Sequence, residues 1–127
     1  MVYVQTVLKI VDNTGAYYGL CARILTNSKK ALPGDVLIVV IKSVIYNKKV
    51  LFQKKRKVFK SEVRRAVLLC SGSIKNRYGL YITFNRNSVA LIGRWEMPVG
   101  NRIFGPVMFE VRTTKYLRIA MLSEGVL

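Results

Sequence analysis

The densest chemistry in the chain is cationic. From residue 48 to residue 65 it carries Lys48, Lys49, Lys54, Lys55, Arg56, Lys57, Lys60, Arg64 and Arg65, against Glu62 alone. Half of the net charge of +16 therefore falls in about one seventh of the length. Ammonium and guanidinium groups at this spacing can neutralise successive phosphates and release their counterions. A solvated surface ordinarily mixes both signs. Here the single sign is interleaved with Val50, Leu51, Phe52, Val58 and Phe59, a pattern suited to an arm that lies on phosphates through apolar anchors.

Catalytic chemistry has little to work with. The chain has no histidine, so the commonest general base and the commonest metal ligand are both missing. The six carboxylates are Asp12, Asp35, Glu62, Glu96, Glu110 and Glu124, and no two of them have an acid/base spacing. Asp12 and Asp35 sit in turn motifs, where Asp serves backbone hydrogen bonds. Neither a P-loop nor a GxGxxG is present. Cys21 and Cys70, 49 positions apart, make no zinc spacing and read as two buried, reduced thiols. An enzyme, a cofactor and a metal are not expected.

These groups need a scaffold, and 127 residues with 51% apolar content suit one domain over the whole chain, 1–127, with one core. Strand signals dominate. "VYVQTVLKIV" (2–11) is β-branched, "DNTG" (12–15) is a turn, and "AYYGLCARIL" (16–25) reads as the return strand with a bulge at Gly19. A loop (26–35) ends in Pro-Gly-Asp before a long strand at 36–46. A basic connection (47–62) leads to strands at 63–70, 80–84 and 88–92, with 71–77 as a loop. A short helix around Arg112–Tyr116 and a final strand complete the reading. Short strands with turns between them predict a small closed or nearly closed barrel.

Further cations, Arg23, Lys29, Lys30, Lys75, Arg77, Arg86, Arg94, Arg102, Arg112, Lys115 and Arg118, mostly fall in loops or at strand ends. No helix suits the DNA major groove. Tyr78, Tyr81 and Phe84 could stack on single-stranded bases, and equally could be core aromatics. Charge spread over a barrel suits structured RNA, contacted from several sides. A membrane is the weaker partner: the longest apolar run, Val36 to Ile41, is far short of the roughly 20 residues of a span. The N-terminus shows neither a signal-peptide nor a transit-peptide pattern. A free OB-type RNA- or DNA-binding barrel and a cationic membrane-active protein remain as alternatives.

In "VGNRIFGPV" (99–107) two glycines and a proline enforce a tight path, Ile103 and Phe104 can pin it to the barrel, and Arg102 can project from it.

Four blocks carry a resemblance. "LKIVDNTGA" (8–16), "PGDVLIVVIK" (33–42), "NRIFGPV" (101–107) and "LRIAMLSEGVL" (117–127) resemble "LNVADNSGA", "GDVIKVTIK", "GTRIFGPV" and "KIISLAPEVL" of the universal large-subunit ribosomal protein number fourteen. They follow the family order and span nearly the whole chain. The resemblance implies a mainly β fold: a small five-stranded β-barrel with a C-terminal extension containing short helices. It implies a structural constituent of the large ribosomal subunit that binds large-subunit rRNA and helps bridge to small-subunit rRNA. A neighbouring large-subunit protein, number nineteen in bacteria, and a ribosome-silencing factor are further partners it implies. No membrane insertion is expected.

On this resemblance the rRNA-binding set is Lys9, Arg23, Lys48, Lys49, Lys54, Lys55, Arg56, Lys57, Lys60, Arg64, Arg65, Lys75 and Arg77. The face toward the small subunit and partners is Asn101, Arg102, Phe104, Arg112, Lys115 and Arg118. Arg102 matches the family directly, Arg118 conservatively, and Asn101 replaces Thr. Cys70-Ser71-Gly72-Ser73 stands where the family carries a basic run near "RTKKG", which moves contacts toward Lys75 and Arg77. The closing segment loses its proline, and 47–60 is more basic than usual. Abundant Ile, Asn, Lys, Tyr and Phe suggest an AT-rich organelle gene. A mitochondrial ribosome, with the protein encoded in the organelle, is the expected location; a plastid or a bacterial cytoplasm is the alternative.

Overall fold

The structure is a computed structural model that describes residues 2–44, 58–75 and 78–127. Five strands close a barrel: β1 (Val7–Ile10), β2 (Ala16–Ile24), β3 (Val36–Val44), β4 (Val63–Cys70) and β7 (Ser88–Ile92), in the order β1-β2-β3-β4-β7. All neighbours are antiparallel except the closing pair, where β1 runs parallel to β7 through Lys9↔Ser88 and Ile10↔Val89. Closure leaves the barrel with no sheet edge to protect.

The alternation of β-branched and small residues fills the interior. Leu8, Ile10, Cys21, Leu37, Val39, Ile41, Ala66, Leu68, Val89 and Leu91 form one buried cluster. Gly19 faces Leu8 on one side and Ile41 on the other. A Cβ there would run into the Val39 side chain, so the glycine is what lets β2 and β3 approach. The ladder shifts register on either side of Tyr18 and again past Cys21, as the bulge reading expects.

The strands β4 and β7 are buried on both faces. Ala66, Leu68, Val89 and Leu91 point inward, while Val67, Leu69, Ala90 and Ile92 point out beneath the C-terminal extension. That double burial explains their uninterrupted apolar runs, which a one-sided strand would not show. The extension covers them with Ile103, Val107, Met108, Val111, Tyr116 and Ile119. It contains β8 (Pro106–Val107), helix α1 (Phe109–Arg112), helix α2 (Leu117–Leu122) and β9 (Gly125–Val126), with β8 and β9 paired in parallel.

Three regions differ from the sequence reading: the start of the first strand, the loop at 71–77 and the segment from 112 onward. The first strand begins at Val7: Gln5 has a left-handed φ of 75°, and Tyr3–Thr6 turns on itself through the Thr6 amide donating to the Tyr3 carbonyl. The long strand is described to Val44; positions 45 and 46 lie outside the described residues. The loop expected at 71–77 contains β5 (Ser73–Lys75), paired with β6 (Tyr81–Thr83) so that Ile74 opposes Ile82. Polar neighbours hid that pair. Finally, the helix expected around 112–116 ends at Arg112, and 113–116 is a turn. Thr113 and Thr114 donate to the carbonyls of Glu110 and Val111 and end α1 there. The segment expected as a final strand is α2, because Ile119 and Ala120 face the core at a helical spacing from Tyr116.

Candidate nucleic-acid interface

The "DNTG" turn organises one side of the surface. Asp12 is buried; its carboxylate accepts from Thr14 Oγ1 at 2.6 Å, the Thr14 amide at 3.3 Å and the Leu91 amide at 3.0 Å. Beside it, Asn13 Oδ1 accepts from the Asn101 amide at 3.0 Å, and Asn13 Nδ2 donates to Asn101 Oδ1. A Cβ at Gly100 would strike the Asn13 side-chain oxygen, so a larger residue there would displace the Asn13–Asn101 pair. Ile103 is buried and bridges to Asp12, and the Phe104 amide donates to the Val11 carbonyl at 2.8 Å. The loop that carries Arg102 is therefore held at both ends, and Arg102 itself is exposed.

Phe104 corrects one expectation. It does not pin the loop; Ile103 does, and Phe104 stays 50% exposed. It lines a cleft of about 390 Å³ with Lys9, Tyr17, Arg86 and Glu124. Within it, Lys9 Nζ sits 3.3 Å from the centre of the Tyr17 ring, a cation–π contact. The Lys9 ammonium, and then the Tyr18 hydroxyl, pull the Tyr17 phenol below its ordinary pKa. Sequence reasoning put Lys9 and Phe104 on different surfaces; the fold places them in one cleft.

A second constellation centres on Glu96. Its carboxylate accepts from Tyr116 Oη at 2.7 Å and from Arg65 Nη2 at 2.9 Å, with Lys115 Nζ at 3.7 Å. The Tyr116 hydrogen bond, and next Arg65, hold Glu96 below the usual carboxylate range. Burial, reinforced by Glu96, pushes the Tyr116 phenol up. Arg118 lies on α2, not on a strand, and its guanidinium donates to Met97 Sδ at 3.3 Å. Arg65, from the rRNA-binding set, thus meets Lys115, from the partner face, on one carboxylate.

Arg64 pairs with Glu62 at 2.7 Å. Arg23, Lys60 and Arg112 are exposed. Lys75 lies on β5, while Lys48, Lys49, Lys54, Lys55, Arg56, Lys57 and Arg77 lie outside the described residues. Of the three aromatics weighed for stacking, Tyr78 and Tyr81 are exposed and Phe84 packs against the outer core cluster. Tyr17, Arg86 and Trp95 were absent from the expected site. Their signal in the sequence was adjacency alone: two tyrosines after the "DNTG" turn, an arginine in "NRN", and the single tryptophan between Arg94 and Glu96.

The fold and the spread of charge define a small basic barrel protein that works through its surface. Comparison with known proteins is specific: a family model for ribosomal protein L14p/L23e matches residues 1–127. The chain belongs to that family, whose members are structural constituents of the large ribosomal subunit and not enzymes. It is 40% identical over 116 residues to the large ribosomal subunit protein uL14m of Acanthamoeba polyphaga, covering 89% of this chain and 98% of the relative. It is 38% identical over 128 residues to the protein of the same name from Acanthamoeba castellanii, covering 98% of each.

Proposed function

We propose that the chain lies on large-subunit rRNA through its distributed cations, and that the segment from Asn101 to Arg118 faces the small subunit. The observation that carries this is the charge: six carboxylates cannot neutralise 22 cations, and two of the six, Asp12 and Asp35, are engaged by backbone amides. The surplus needs an external polyanion, and large-subunit rRNA is the one a member of this family meets. Phosphate contacts supply affinity, and the closed barrel holds the cations in register. The face of Asn101, Arg102, Phe104, Arg112, Lys115 and Arg118 then serves bridges to small-subunit rRNA, a neighbour corresponding to bacterial protein nineteen, and a silencing factor. The names of the Acanthamoeba relatives support a mitochondrial ribosome, and the composition supports an organelle gene.

Salt dependence tests the reading. With about eight phosphate contacts, log K for an rRNA fragment falls against log salt with a slope of about −7. A salt-independent affinity overturns it. Reversing Lys54, Lys55, Arg56 and Lys57 to Glu should impair incorporation into large subunits. Arg102→Ala should allow incorporation and weaken subunit joining; normal joining removes Arg102 from the bridging face.

A further inference from the structure

The turn after β7 is strained and displays its most apolar residue. Trp95 and Glu96 both have left-handed φ, 62° and 57°. That region disfavours bulky L residues and persists only where the surroundings impose it. The surroundings do so here. The Gly93 amide donates to the Met97 carbonyl at 2.7 Å, the Met97 amide donates back to Arg94, and Ile92 bridges Pro98. Arg65 and Tyr116 then lock the Glu96 side chain. The product is an indole 92% exposed to solvent. A tryptophan carries a large apolar face, and a turn that holds it outside leaves that face available to an occupant.

The charge around it says which. Arg94 precedes the indole, Arg65 and Lys115 meet on the carboxylate that follows it, and Arg118 reaches Met97. Arg65 and Lys115 share the Glu96 carboxylate, and Arg94, near it in the chain, and Arg118, on Met97, add positive charge. Arg65, Lys115 and Tyr116 also line a cleft of about 320 Å³ with Leu25 and Val36. An aromatic face among cations is how single-stranded nucleic acid is gripped: the base stacks and the phosphates are neutralised. Paired bases in a duplex offer no free face to stack on.

We propose that Trp95 is a stacking platform for an unpaired RNA base, with Arg65, Arg94 and Lys115 on the flanking phosphates. This rests on the rRNA-binding reading and adds the form of RNA recognised and the residue that recognises it. Trp95 is the single tryptophan of the chain, so its fluorescence reports the site alone. The full chain is titrated with a single-stranded oligoadenylate of about ten nucleotides and, separately, with an RNA duplex of equal length. The single strand should quench the indole and the duplex should leave it largely unquenched. Trp95→Ala should weaken single-strand binding on the order of tenfold without changing duplex binding, and Trp95→Tyr should restore most of the loss. Single-strand binding with an unquenched indole overturns the proposal and leaves the rRNA reading standing. So does an indole that becomes buried only when other ribosomal proteins are added. Failure to bind either RNA overturns both.

Discussion

Asp12 accepts the Leu91 amide hydrogen bond at 3.0 Å across a separation of 79 residues. The other carboxylate oxygen holds the Thr14 amide and hydroxyl, so one buried side chain ties the β1–β2 turn to the last barrel strand. Asp12→Ala should therefore destabilise the fold by about 2–3 kcal/mol, because the amides of Leu91 and Thr14 lose their acceptor. Asp12→Asn, which keeps an acceptor oxygen, should lose less. Urea unfolding midpoints check this, and an unchanged midpoint for the alanine variant contradicts it.

Glu96 and Tyr116 give stability opposite dependences at the two ends of the pH scale. The folded carboxyl titrates below its unfolded value, so the contribution of Glu96 is present above about pH 4 and disappears as pH falls through the folded pKa. The folded phenol titrates above its unfolded value, so the contribution of Tyr116 is present below about pH 10 and disappears as pH rises through the folded pKa. Melting temperatures across pH should show Glu96→Gln flattening the acid limb and Tyr116→Phe flattening the alkaline one. Parallel profiles for variant and parent would remove the pair from the ledger of stability.

Neither thiol should react in the folded protein. Cys21 is fully buried in the barrel, and Cys70 lies under the extension with its Sγ donating to the Pro106 carbonyl at 3.1 Å. Burial raises both thiols, Cys70 up to about 11, which leaves little thiolate at pH 8. A disulfide-exchange reagent should label both cysteines in denaturant and neither beforehand. Rapid labelling of Cys70 in the native state would mean that the C-terminal extension lifts from β4.

Several elements were legible from local residues. Apolar runs and turn chemistry located β2, β4 and β7 and the breaks around them, and the Gly19 irregularity followed from a glycine inside a strand. The one expected helix was set a few residues late and the second was read as a strand, because segments of four and six residues carry too little periodicity to separate helix from strand. Residues 80–84 read as a strand, as β6 is, but β5 and its pairing with β6 were missed because one opposed isoleucine pair is the main apolar signal.

The candidate surface divides in the same way. Composition by itself determined that the protein is polybasic, since net charge does not depend on how the chain folds, and the run of short strands and turns predicted the barrel. Tertiary structure alone decided which cations and aromatics are neighbours. Lys9 and Phe104 share a cleft, and Arg65 meets Lys115 on Glu96, because barrel closure and the docking of the extension bring together positions dozens of residues apart. It also decided that Trp95 faces outward. Side-chain direction there follows from two left-handed residues held by long-range contacts, and no local preference of the sequence encodes that conformation.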